Sequence, residues 1–198
     1  MPVREQFRAA LLQYVEVPGA RFLHALKLTP NSVTLLSFTL TVVSAVFVGL
    51  GWLLVGGIVF VLGSSLDLMD GALARLTGTA SPFGALLDSV FDRLGEAALF
   101  LGLAVYALEA AFSDNHRLFF IIVVLLALTF SQGVSYLRAR GEGLGAFTRS
   151  GLMTRTERVI ILGVGLVVDS LVPFPLIGWI LLLIALVSCF TLFQRMFT

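Results

Sequence analysis

The stretch Leu28–Leu66, LTPNSVTLLSFTLTVVSAVFVGLGWLLVGGIVFVLGSSL, contains no charged residue. A helix needs about 20 apolar residues to cross the hydrocarbon core of a bilayer, so this run is long enough for two. Gly49, Gly51, Trp52, Gly56 and Gly57 stand near its middle, where a tight turn at a membrane face would fall. The reading is a helical hairpin in lipid, with spans over Asn31 to Leu50 and Trp52 to about Arg75.

Further apolar runs extend the pattern. A third span is expected from about Phe83 to Leu108 and a fourth from Arg117 to about Leu137. A short fifth runs from about Glu157 to Leu171 with Asp169 near its end, and Pro173 and Pro175 break the chain before a sixth, Leu176 to Phe193. Of 198 residues, 58% are hydrophobic and only 13% charged, more apolar surface than a soluble domain of this size can hide. The expected fold class is an all-α integral membrane protein forming one domain over residues 1–198. Six transmembrane helices occupy 31–195, and an amphipathic surface helix with its lead-in occupies 1–27. Phe7, Leu11, Leu12, Tyr14 and Val15 lie on one side of that helix, with Arg4, Glu5 and Arg8 largely elsewhere. The amino terminus is too charged, and its apolar run too short, to read as a cleavable signal peptide. Cys189 is the single cysteine, excludes an intrachain disulfide and reads as packing.

The net charge of +1 informs less than its placement. Arg4, Arg8, Arg21 and Lys27 precede span one, and Arg75 and Arg93 flank the connection between spans two and three. Arg138, Arg140, Arg149, Arg155 and Arg158 lie between spans four and five, Arg195 follows span six, and only Arg117 falls on the other face. The positive-inside rule then puts both termini and the acidic end of spans two and three in the cytoplasm, in the cell membrane. No nucleic-acid partner is expected.

That acidic end reads LDLMDGALARLTGTASPFGALLDSVFDR, residues 66–93. Ionisable groups in membrane helices are costly and point to function by default. Asp67 and Asp70, three apart, share one face of a helix; Asp88 and Asp92, four apart, share one face of the next. Carboxylates converging from antiparallel neighbours repel unless a cation sits between them, and hard oxygen donors suit Mg²⁺ or Mn²⁺ rather than zinc. Gly71 and Gly84 fall on the same faces and, with Ala74, leave bare backbone for a flat ligand. Arg75 could grip a phosphate with a forked pair of hydrogen bonds. Together these residues suggest phosphoryl or phosphodiester chemistry on a metal-bound diphosphate. The residues leave other readings open: the glycines suit helix packing, and the acids suit an ion or proton transporter.

The pattern Asp67-x-x-Asp70-Gly71-x-x-Ala74-Arg75, eight further residues, then Gly84-x-x-x-Asp88-x-x-x-Asp92, resembles the full signature of the CDP-alcohol phosphotransferases. The resemblance covers essentially the whole chain. It implies transfer of a phosphatidyl or similar group from a CDP-linked donor to an alcohol, with release of CMP. By that likeness Asp67, Asp70, Asp88 and Asp92 hold two Mg²⁺ ions, Mn²⁺ being an alternative, and Asp92 also serves as catalytic base. Gly71, Ala74, Arg75, Ser81 and Gly84 hold the cytidine diphosphate, and Asn31, Ser32, Val33 and Thr34 line the same pocket. A homodimer is also implied.

The acceptor must be chosen by residues outside the signature. The segment SYLRARGEGLGAFTRSGLMTRTERVIIL, residues 135–162, is similar to the corresponding part of bacterial phosphatidylinositol-phosphate synthases, as are Asp92-Arg93 and Gln194-Arg195. That likeness implies CDP-diacylglycerol as donor and inositol 1-phosphate as acceptor, with Arg138, Arg155, Arg158 and Arg195 holding the acceptor's phosphate. Arg138 stands where lysine is usual and Thr156 where proline is common, which keeps a phosphatidylglycerophosphate synthase or another polyol-phosphate acceptor in play.

Overall fold

The computed structural model describes residues 12–110, 112–145 and 151–197, and every regular element among them is helical. After a π-type turn, Leu12–Glu16, come α1 (Val17–Ala25), α2 (Pro30–Gly49), α3 (Leu53–Thr77), α4 (Pro82–Glu109), α5 (Asp114–Gly143), α6 (Arg155–Asp169) and α7 (Ile177–Met196). The long helices fall where the apolar runs predict them. Four of them, α2, α3, α5 and α7, are long and apolar enough to cross a membrane. At 28 residues α4 has the length, but Asp88, Asp92, Arg93 and Glu96 crowd its first half. At 15 residues α6 rises only about 22 Å. Most of the expected surface helix, including Arg4, Phe7, Arg8 and Leu11, lies outside the described residues, as does Arg149.

Helix ends are shaped by local chemistry. At the end of α2, Gly51 takes φ +81°. Its N–H donates to the Val48 carbonyl and that of Trp52 to the Phe47 carbonyl, both at 2.9 Å, while the Phe47 and Trp52 rings stack at 5.7 Å. This is a Schellman stop sealed by an apolar contact, and it makes the expected turn between the first two long helices. Gly78 ends α3 the same way, and Lys27, at φ +58°, ends α1 without a glycine. At the start of α2, the Thr29 and Ser32 hydroxyls each accept from the other's backbone N–H, a reciprocal cap. Ser81 caps α4 by accepting from Gly84 N at 3.0 Å, with Pro82 in the first helical position. The break between α3 and α4 therefore spans only residues 78–81, shorter than the eight residues between the two signature halves.

The chain divides into two compact units, and α2, α3 and α4 each contribute to both. The first comprises residues up to Val42 and Leu62–Gly95. Ala20 and Leu23 of α1, Val33 of α2, and Ala72 and Leu73 of α3 form its apolar centre. Ser37 Oγ donates to the Gly63 carbonyl at 2.8 Å, and Phe38 stacks on Phe91 at 4.7 Å, tying α2 to α3 and to α4.

The second unit comprises Val43–Val61 and the chain from Glu96 onward. Its core includes Phe60, Leu99, Phe100, Leu103, Phe120, Leu166, Ile177 and Leu181, with α5 packed along α7. A Cβ at Gly102 would collide with the Ala45 carbonyl oxygen, so only glycine admits this contact between α2 and α4. The carboxylate of Asp169, buried at the end of α6, accepts from Ile177 N at 2.7 Å and so caps α7. Met153 is buried in this core, and its N–H donates to Thr191 Oγ1 at 3.3 Å, which holds the start of α6 against α7.

Candidate active site

The last turns of α3 and the first turns of α4 carry the signature. Helical spacing puts Asp67 and Asp70 on one face of α3, and Asp88 with Asp92 on one face of α4. The fold brings Asp67, Asp70 and Asp88 together: one carboxylate oxygen from each lies within 4.8 Å of the other two. Asp92, a turn beyond Asp88, is outside this group of three. Asp70 is buried, and Thr34 Oγ1 lies 2.5 Å from its Oδ2. Thr34, expected to line a nucleotide pocket, thus also aims a carboxylate.

The donor set can be tested against a metal. Oxygens sharing one small divalent ion at about 2.1 Å stand roughly 3 Å apart when adjacent and about 4.2 Å apart when opposite. The 4.8 Å limit is reached from such positions by small side-chain rotations. Three carboxylates this close repel unless a cation or protons intervene, and all three donors are hard oxygens. The residues fit a divalent ion of the Mg²⁺ or Mn²⁺ type.

Beside the carboxylates, the residues expected to hold a nucleotide diphosphate separate into two kinds. A Cβ at Gly71 would meet only Arg75 Nη1, at 3.4 Å, so the glycine leaves open space with the guanidinium folded over it. Arg75 is 62% exposed and its Nη2 lies 3.4 Å from Glu16 Oε2. A Cβ at Gly84 would lie 3.2 Å from Ser81 Oγ and 3.3 Å from Asn31 Oδ1, so these three residues converge. Ala74 is half-buried on the face of Gly71. By contrast, the Val33 side chain is fully buried in the apolar cluster and Ser32 Oγ is engaged in the cap with Thr29.

The four arginines proposed for the acceptor all belong to the second unit. Arg138 Nε pairs with Glu142 Oε1 at 3.0 Å along the exposed face of α5. Arg155 opens α6, where the Glu157 carboxylate accepts from Thr154 N at 2.8 Å and bonds the Thr154 hydroxyl in a capping box. Arg195 is buried and donates from Nη1 to the Val134 carbonyl at 3.0 Å. Arg158, 1% exposed, is held by Glu96: Nε donates to Oε1 at 3.0 Å and Nη2 to Oε2 at 3.2 Å. Glu96 escaped the sequence reading. Its signal was present, since it is an acid in an apolar helix, four residues after Asp92.

The family model for CDP-alcohol phosphatidyltransferase matches residues 27–192. The chain belongs to the CDP-alcohol phosphatidyltransferase family. It is 36% identical to the phosphatidylinositol phosphate synthase of Mycobacterium marinum, over 96% of this chain and 81% of that one. It is similar in structure to the phosphatidylinositol phosphate synthase of Mycobacterium tuberculosis with CDP-DAG bound, at 34% identity and a TM-score of 0.79, covering 93% of this chain and 92% of that one. The same M. tuberculosis enzyme in complex with manganese and citrate matches with a TM-score of 0.80 at 34% identity, covering 92% of this chain and 88% of that one. As a CDP-alcohol phosphatidyltransferase the chain is an enzyme of phospholipid synthesis, and the ion-transporter reading of its aspartates lapses. The converging carboxylates suit a divalent metal, and manganese is bound in that M. tuberculosis structure.

Proposed function

We propose that this enzyme transfers the phosphatidyl group of CDP-diacylglycerol to inositol 1-phosphate, giving phosphatidylinositol phosphate and CMP. The observation that carries this reading is the convergence of Asp67, Asp70 and Asp88 beside the open face of Gly71 and Arg75. The likeness to phosphatidylinositol phosphate synthases supplies the choice of acceptor.

In this mechanism Asp67, Asp70 and Asp88, joined by Asp92 for a second ion, hold two Mg²⁺ or Mn²⁺. When bound, such ions neutralise the diphosphate and the departing CMP. Arg75 exchanges Glu16 for a phosphate oxygen of the donor, and Asn31, Ser81 and Gly84 form the nearby wall against which the cytidine rests. Asp92 takes the proton of the inositol hydroxyl as its oxygen bonds to the phosphatidyl phosphorus. The phosphoanhydride bond breaks, and its electron pair leaves with the bridging oxygen on CMP. Arg138, Arg155, Arg158 and Arg195 receive the acceptor's own phosphate.

This reading treats residues 1–198 as one membrane domain of six spans, α2 to α7, with the amino-terminal helix on the bilayer surface. Both termini and the aspartates then face the cytoplasm at the cell membrane, and the enzyme works as a homodimer. In steady-state CMP-release assays, Asp92→Asn is expected to cut kcat at least about 10³-fold, with little change in donor KM. Near-normal turnover by this variant would remove Asp92 as the base.

A further inference from the structure

Buried charge in the second unit is concentrated around one stretch of α5. Arg158 Nη2 lies 3.4 Å from Ser135 Oγ, and Arg195 Nη1 lies 3.0 Å from the carbonyl of the preceding residue, Val134. Two buried guanidinium groups are thereby brought to neighbouring residues of one helix. Gly151 contributes to this placement: a Cβ there would come within 3.0 Å of Arg195 Nε and 3.2 Å of its Nη2, so bare backbone lies against the guanidinium.

A guanidinium has two forks, a side edge made by Nε and Nη2 and an end edge made by Nη1 and Nη2. Both oxygens of Glu96 occupy the side edge of Arg158. Nη1 is fully buried and has no hydrogen-bond partner. Two N–H donors on a cation, out of water and unmatched, cost several kcal/mol and call for an acceptor oxygen. A neutral structural strut would satisfy every donor; this arrangement engages Nε and Nη2 and leaves Nη1 unmatched.

We infer that Glu96 is a positioning residue for the acceptor. By clamping the side edge of Arg158 it turns the end edge, next to Ser135, toward an oxyanion, and the phosphate monoester of the acceptor is the oxyanion that fits. This rests on the proposed function for the identity of the acceptor; the clamp itself does not.

Steady-state kinetics of Glu96→Gln test the inference, with CDP-diacylglycerol and inositol 1-phosphate varied separately. The acceptor KM is expected to rise about tenfold or more while the donor KM stays within about twofold, because only one substrate is misaligned. Glu96→Asp, which keeps the charge, is expected to fall between wild type and Glu96→Gln. Should Glu96→Gln fail to fold, the double variant Glu96→Met/Arg158→Leu removes both charges together and suits a buried site. It is expected to fold and to lose acceptor affinity by at least as much. An acceptor KM unchanged in the folded variant, or a loss shared equally by both substrates, overturns the role of Glu96. Wild-type protein that releases no CMP with inositol 1-phosphate defeats the proposed function instead.

Discussion

Thr34 shows how a single hydroxyl holds one carboxylate of the acidic cluster. Placed 2.5 Å from Asp70 Oδ2, it restricts the rotation of a buried carboxylate. Thr34→Val keeps the shape and removes the hydroxyl. It is expected to lower kcat roughly tenfold and to raise the Mg²⁺ concentration needed for half-maximal activity, read from metal titrations. Unchanged metal dependence would make the contact incidental. The aspartates were legible in the sequence because spacings of three and four put them on single helix faces. Thr34 and Glu96 were harder, because periodicity places a residue on a face without saying which distant helix meets it. Val33 and Ser32 were named only through the family resemblance; in the fold the Val33 side chain is buried in the apolar cluster and the Ser32 hydroxyl takes part in the cap with Thr29.

Helix ends explain where the long elements stop. Gly51 was readable as a turn residue, since a left-handed backbone strongly favours glycine, and Gly78 holds the same conformation at the end of α3. Lys27 carried no such signal, yet it holds φ +58° at the end of α1, where its N–H and that of Leu28 bond back to His24 and Leu23. A left-handed residue other than glycine costs about 1–2 kcal/mol, offset in part by the greater freedom of glycine in the unfolded chain. Lys27→Gly is therefore expected to raise stability by up to about 1 kcal/mol, seen as a small increase in Tm in detergent. A decrease would show that the lysine side chain contributes more than its backbone strain costs. The short break at residues 78–81 was also hidden, because Pro82 and the Ser81 cap start α4 before its apolar pattern begins.

Across the molecule, the distribution of charge divides the labour. The first unit gathers the carboxylates, and the second gathers two buried arginines around Val134 and Ser135. Chelation with EDTA is expected to abolish CMP release, and either Mg²⁺ or Mn²⁺ to restore it, because the donors are all hard oxygens. Activity surviving complete chelation would contradict the metal centre. The all-helical membrane class was legible from the uncharged run of residues 28–66 alone. The acceptor was less so, since arginines that hold a phosphate and arginines that set topology look alike in sequence. The choice of acceptor is tested most directly by following it into lipid. Purified protein is supplied with Mg²⁺, CDP-diacylglycerol and labelled inositol 1-phosphate, and the organic-soluble product is weighed by mass spectrometry. Labelled phosphatidylinositol phosphate is expected in equal amount with CMP, and no lipid product when glycerol 3-phosphate replaces the inositol phosphate. Phosphatidylglycerophosphate as the product, with no label in lipid, would contradict the proposed acceptor.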